Sequence, residues 1–144
     1  MRPGLTKCFL FLGANPSESN RLLWYAILAA QRAGTKIVVV DPRRTKLAEI
    51  ADLWLQPRPG TDCALIMAMI NVIIAEELYD KEFVERWCHG FDKLAARARD
   101  YTPEKIAEIT WVPAEKIKEA ARLYAASKPA ATFDTMGVEQ LPNN

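Results

Sequence analysis

Residues suited to soft-metal and thiol chemistry are scarce in this chain of 144 residues, which has one histidine and three cysteines. Cys8, Cys63 and Cys88 lie far apart and form no C-x-x-C pair, which argues against a zinc site and against a disulfide framework. A reducing compartment is the default for such a chain, so a cytoplasmic location is expected. His89 alone cannot build a His-rich metal site or a conventional Ser-His-Asp triad, and it reads as structural or solvent-facing. Excess charge is missing too. Lys+Arg 19 against Asp+Glu 18 leaves a formal net charge of +1, too little for a global field that would hold nucleic acid, and no nucleic-acid partner is expected. The longest apolar run, Cys63 to Ala75, is interrupted by Asn71 and falls short of the about 20 residues that a membrane span needs. It reads as a buried helix, and no membrane insertion is expected. No secretory leader is legible, because the apolar stretch Cys8 to Leu12 is short and runs into Gly13.

What is present is enough for a core. Half of the residues are hydrophobic, which excludes intrinsic disorder as the main state. A chain of this size buries roughly 70% of its unfolded surface. Short apolar runs alternate with amphipathic stretches, the pattern of parallel strands covered by helices. Strands are predicted at Cys8 to Leu12, Ile37 to Val40, Asp52 to Gln56 and Ala130 to Phe133. Ser17 or Ser19 is positioned to cap a helix through Ala33, with Leu22, Ala26, Ala29, Ala30 and Ala33 as its apolar positions. A short helical turn spans Lys46 to Ile50, and Thr61 or Asp62 is expected to cap the helix Cys63 to Ala75. Four helices then follow, at Asp80 to Cys88, Phe91 to Arg99, Thr102 to Ile109 and Pro113 to Ser127, and are expected to form one packed layer. Without repeats or linkers, residues 1–144 read as a single α/β domain: Rossmann-like, three-layered, with a mostly parallel sheet and a helical C-terminal half. Trp24, Trp54, Trp87 and Trp111 read as core or interface residues rather than base-stacking platforms.

Open parallel sheets bind ligands outside the carboxyl ends of their strands, so the loops after the strands carry the chemistry. Gly13, Asn15, Pro16 and Ser19 belong to a loop in which glycine permits close backbone approach and a following helix N-terminus offers N–H groups, which suits a phosphate. The G-x-G-x-x-G fingerprint is absent, which disfavours an ordinary NAD or FAD site. Asp41 ends the second strand, where an acid often meets a ribose hydroxyl pair, and Pro42 and Arg43 follow, an Arg fork matching pyrophosphate oxygens. Gly60, Thr61 and Asp62 bring a carboxylate to the next loop, and a carboxylate accepting from a ring N–H and an adjacent NH2 selects guanine over adenine. Each loop also has a plainer explanation as a turn or helix cap. Together they favour a nucleotide site.

Several motifs occur in order along nearly the whole chain: F-L-G-A-N-P-S-E-S at Phe11 to Ser19, K-I-V-V-V-D-P-R-R-T at Lys36 to Thr45, A-D-L-W-L-Q-P-R-P-G-T-D at Ala51 to Asp62, L-Y-D-K-E-F-V at Leu78 to Val84, and Y-T-P-E-K-I-A-E-I-T at Tyr101 to Thr110. With V-P-A-E-K-I at Val112 to Ile117 and K-P-A at Lys128 to Ala130, this succession resembles the molybdopterin oxidoreductase family of the dimethyl sulfoxide reductase type. The resemblance implies an internal segment of a larger catalytic subunit that binds part of a bis(molybdopterin guanine dinucleotide) cofactor carrying molybdenum or tungsten. It implies that Gly13, Asn15 and Ser19 face phosphate or ribose, Asp41 and Arg43 the guanosine ribose and pyrophosphate, and Gly60 and Asp62 the guanine. Gly137 and Gln140 fall in a segment similar to a family loop near the pterin.

The departures from the family pattern are Asn20-Arg21 in place of a His-Pro-like pair and Trp111 where glycine is common before Val-Pro. No four-cysteine motif for an iron–sulfur cluster and no Cys, selenocysteine or Ser loop for the metal is recognisable, so no catalytic and no metal-ligating residue is assigned. Iron–sulfur clusters, the remaining domains of the subunit and any electron-transfer subunits are expected in other segments, and the parent's periplasmic or membrane-associated placement is left open. This chain alone is expected to be inactive, while the parent performs two-electron redox or oxygen-atom transfer. The rival readings are a stand-alone Rossmann-like nucleotide-binding or scaffolding module, and the middle domain of a thiamine-diphosphate enzyme, which does not account for P-G-T-D.

Overall fold

Four short apolar runs pair into one sheet whose neighbours are all parallel, in the order β3-β2-β1-β4. The structure is a computed structural model that describes residues 5–140. Strand β1 is Cys8–Leu12, β2 is Lys36–Val40, β3 is Leu53–Leu55 and β4 is Ala130–Asp134. Helices α1 (Pro16–Ser19) and α2 (Arg21–Arg32) join β1 to β2, and α3 (Lys46–Glu49) joins β2 to β3. The return from β3 to β4 runs through α4 (Asp62–Ala75), α5 (Lys81–Trp87), α6 (Phe91–Ala98), α7 (Pro103–Thr110) and α8 (Ala114–Ala126), and α9 (Met136–Glu139) follows β4.

Every residue of β1 is buried, as a strand covered on both faces requires. Cys8, Leu10 and Leu12 join Val38, Val40, Leu53 and Leu55 against Leu65, Met69, Ile106 and Ile117 of α4, α7 and α8. Phe9 and Phe11 point the other way with Ile37 and Val39, against Ile27 of α2 and Leu47 of α3. Both faces are apolar, so polarity does not set the register of β1. The Phe9 and Phe11 rings pack with Ala14, Ala30 and Ala48, and Phe133 of β4 stacks on Phe11 at 5.1 Å between centroids. The expected three-layer α/β arrangement is therefore found, with the helical second half packed on one face. Among the described residues no helix is long and apolar enough to cross a membrane.

Local chemistry moves several predicted boundaries. The helix expected through Ala33 from Ser17 or Ser19 is broken at Asn20, whose extended backbone and side chain, accepting from Leu23 N–H at 3.0 Å, start a new helix. The serines are engaged elsewhere: Ser17 donates to Asn15 Oδ1 at 2.7 Å and Ser19 to the Asn15 carbonyl at 2.9 Å. The restart rephases the apolar face onto Ile27 and Ala30, with Leu23 and Trp24 partly buried, and leaves Leu22 82% exposed. Strand β3 loses Asp52 because that carboxylate accepts from Ile37 N–H at 2.9 Å and from Lys36 Nζ at 2.6 Å. Cys63, expected in a buried helix, is exposed because α4 turns Leu65, Ala68, Met69 and Val72 inward and its second residue outward. Helix α5 buries none of its residues, so it is no part of the packed layer's core, and Trp87 and Trp111 stand out to solvent.

Candidate functional site

The chain steps outward from β1 through β2 to β3 and then returns to the opposite side of β1, so the order reverses between β1 and β4. The carboxyl ends of the strands at such a reversal form a crevice. There Gly13, Asp41, Pro42, Arg43, Pro59, Asp62 and Gly137 line a cavity of about 170 Å³. One loop after each of the four strands thus contributes to one site.

The loop after β1 is fixed by two hydrogen bonds. Gly13 N–H donates to the Val40 carbonyl at 2.9 Å, and the Thr135 hydroxyl donates to the Gly13 carbonyl at 2.7 Å. Gly13 has φ +57, and a Cβ there would sit 3.0 Å from the Gly137 Cα, so glycine answers both to the backbone conformation and to the close approach of the two loops. The loop after β2 is held from β3 and the residue that follows it: Trp54 Nε1 donates to the Asp41 carbonyl at 2.9 Å and Gln56 Nε2 to the Pro42 carbonyl at 2.9 Å. Asp41 Oδ1 accepts from Arg43 N–H at 2.7 Å, closing an Asx turn. Asp41 does not cap α3; Thr45 does, accepting from Ala48 N–H.

Two buried carboxylates, Asp41 and Asp62, face this cavity with one guanidinium, Arg43. Burial pushes the Asp41 carboxyl above its ordinary range, while the Arg43 N–H bond and the Arg43 charge pull it partly back. A lining with more carboxylate than cation suits hydroxyl and ring N–H donors better than phosphate alone. Asp62 opens α4, where a negative charge interacts favourably with the helix dipole. The volume is below the roughly 300–1,000 Å³ of pockets that enclose a drug-sized ligand, so the cavity fits one moiety of a larger molecule.

Six sequence-predicted residues line the cavity: Gly13, Asp41, Pro42, Arg43, Asp62 and Gly137. The others do not line it. Asn15 and Ser19 spend their polar groups inside the Asn15–Asn20 turn, Pro16 is buried at the start of α1, and Glu18 and Ser19 N–H groups bond to the Asn15 carbonyl. Helix α1 has four residues, so the N–H array expected for phosphate after Gly13 is a single tight turn. Thr61 stands at the N-cap of α4 but makes no side-chain cap bond, because its hydroxyl donates to the Arg58 carbonyl at 2.7 Å; Gly60 turns the chain at φ +80, and Gln140 is exposed after α9. Sequence reasoning missed Pro59 as a lining residue and Trp54, Gln56 and Thr135 as supports; nothing local to those residues announces contacts made across the sheet. Cys8 is fully buried in β1, away from this cavity, and burial first and the Asp52 charge second push its thiol up to about 11.

A second cavity, of about 190 Å³, lies at the opposite end of the sheet between Gln31, Gly34, Thr35 and Asp52. Its charged groups, Lys36 and Asp52, are bonded to each other, which leaves it poorly equipped to recognise a ligand.

Comparison with known proteins places nearly the whole chain in one family. The family model described as molybdopterin oxidoreductase matches residues 5–142. Acetylene hydratase of Syntrophotalea acetylenica is 51% identical over 127 residues, which cover 88% of this chain and 17% of that protein. Formate dehydrogenase H of Escherichia coli is 43% identical over 132 residues, covering 92% of this chain and 18% of the relative. The solved acetylene hydratase from Pelobacter acetylenicus superposes with a TM-score of 0.88 at 48% identity, over 92% of this chain and 18% of that one. This chain therefore spans about a fifth of the length of the relatives it matches. On sequence and on fold alike, it belongs to the molybdopterin oxidoreductase family, the dimethyl sulfoxide reductase type of molybdenum and tungsten enzymes.

Proposed function

We propose that this chain is a single α/β domain of a larger catalytic subunit, and that it grips the guanosine end of a molybdopterin guanine dinucleotide cofactor carrying molybdenum or tungsten. The observation that carries this reading is the convergence of loops from all four strands on one small cavity lined by two buried carboxylates. Asp62 accepts the guanine N1–H and N2–H2 donors. Asp41 accepts from ribose hydroxyls, and Arg43, exposed beside it, reaches pyrophosphate oxygens. The bare backbone at Gly13 and Gly137 lets the ligand approach the β1 and β4 loops closely. When bound, the cofactor supplies two-electron redox or oxygen-atom transfer chemistry in the parent. This domain binds and orients it, and the metal ligands, iron–sulfur centres and electron-transfer partners belong to other segments and subunits. The names of the relatives support a binding role: they span a hydratase, formate dehydrogenases and nitrate reductases, so one scaffold accompanies different reactions.

Calorimetric titration of the chain with GDP and with ADP tests this. GDP binds more tightly than ADP, and Asp62→Ala weakens GDP by roughly 10- to 150-fold, the equivalent of the 1.5–3 kcal/mol contributed by a hydrogen bond to a charged group. A clear preference for ADP overturns the guanine assignment and brings forward a stand-alone nucleotide module.

A further inference from the structure

Trp111, the residue that follows α7, has φ +65, a left-handed conformation that a bulky side chain rarely adopts. Packing does not explain it, because the side chain is 69% exposed. Its ring meets the Arg58 guanidinium, 5.6 Å from the ring centroid. Arg58 belongs to the turn that delivers Asp62 to the cavity, and that turn is otherwise tied down by hydrogen bonds. Arg58 N–H donates to the Thr110 carbonyl at 2.8 Å, and the Arg58 carbonyl accepts from Thr61 N–H at 3.2 Å and from the Thr61 hydroxyl at 2.7 Å. Thr110 is fully buried, with its hydroxyl donating to the Ile106 carbonyl at 2.8 Å. A continuous path thus runs from the fixed end of α7 through Arg58 and Thr61 to Asp62.

We propose that the Trp111–Arg58 stack is a positioning clamp that holds the 58–61 turn so that Asp62 meets the guanine edge. The clamp sets guanine-over-adenine preference by fixing the turn before the ligand arrives, and it touches no ligand itself. It rests on the guanine reading of Asp62. The backbone strain at Trp111 has a purpose on this account: the ring reaches Arg58 from that conformation.

The test compares the full chain with Trp111→Gly, Trp111→Phe, Arg58→Gln and the Trp111→Gly/Arg58→Gln pair. Trp111→Gly and Arg58→Gln each weaken GDP by about two- to fivefold, the fold-change equivalent of a cation–π contact at an exposed site, and the pair does no worse than either alone. Trp111→Phe restores the GDP affinity, ADP affinity is unchanged throughout, and the thermal midpoint of Trp111→Gly is not lowered, since glycine tolerates this φ. Hydrogen exchange without ligand reads the turn itself: amides of Gly60, Thr61 and Asp62 exchange faster in Trp111→Gly. Unchanged exchange there, or equal weakening of GDP and ADP, overturns the clamp. Faster exchange in a chain that never preferred GDP leaves the clamp in place and removes the guanine reading.

Discussion

Asp41 is buried beside the cavity, and its carboxyl sits above the ordinary range chiefly because of that burial. A carboxyl whose pKa is higher folded than unfolded binds its proton more tightly in the folded state. Its ionisation therefore costs stability as pH rises through that interval, and the cost is fully present at neutral pH. Asp41→Asn keeps an Oδ1 acceptor for Arg43 N–H and removes the buried charge. The variant is expected to melt a few degrees higher at neutral pH, to lose that advantage below the carboxylate range, and to bind GDP more weakly. Thermal melts at neutral and acid pH check the first two points, and an unchanged or lower midpoint at neutral pH contradicts them. A charge kept where it costs stability is the trade expected of a binding residue.

Helix α2 shows how one side chain decides an element. Asn20 interrupts what periodicity alone reads as a continuous helix and caps its successor through Leu23 N–H. Replacing such a cap by alanine costs about 1 kcal/mol. Asn20→Ala is expected to lower stability by that amount in chemical denaturation, and Ser19→Ala by much less, since the Ser19 hydroxyl is exposed and serves only its own turn. Equal effects of the two substitutions would place the cap where the serine pattern suggested. The strands were legible because β-branched and aromatic runs such as Ile37 to Val40 have few other ways to be buried. What escaped was settled by side chains competing for the backbone: Asn20 at the helix break and Asp52, whose bond to Ile37 N–H shortens β3. Burial along α4 escaped for another reason, because an apolar run hides which side faces the sheet until the helix docks, and so Cys63 emerged exposed.

For the whole molecule, topology turned scattered motifs into a site. Residues as distant in sequence as Gly13 and Gly137 approach until a Cβ on Gly137 would sit 2.7 Å from the Gly13 carbonyl oxygen, because parallel pairing of β1 with β4 puts their following loops side by side. The candidate residues on strand ends were legible as short polar residues after apolar runs; the props from β3 and the Thr135 bridge were not, since they exist only once the sheet is assembled. The most direct test of the account is a map of where GDP binds, from amide chemical shifts of the isotope-labelled chain titrated to millimolar nucleotide. The account predicts shifts clustered at Gly13, Arg43, Gly60 to Asp62 and Gly137, at the carboxyl ends of the strands. Shifts clustered instead at Gln31, Gly34, Thr35 and Asp52, around the cavity at the opposite end of the sheet, would contradict it.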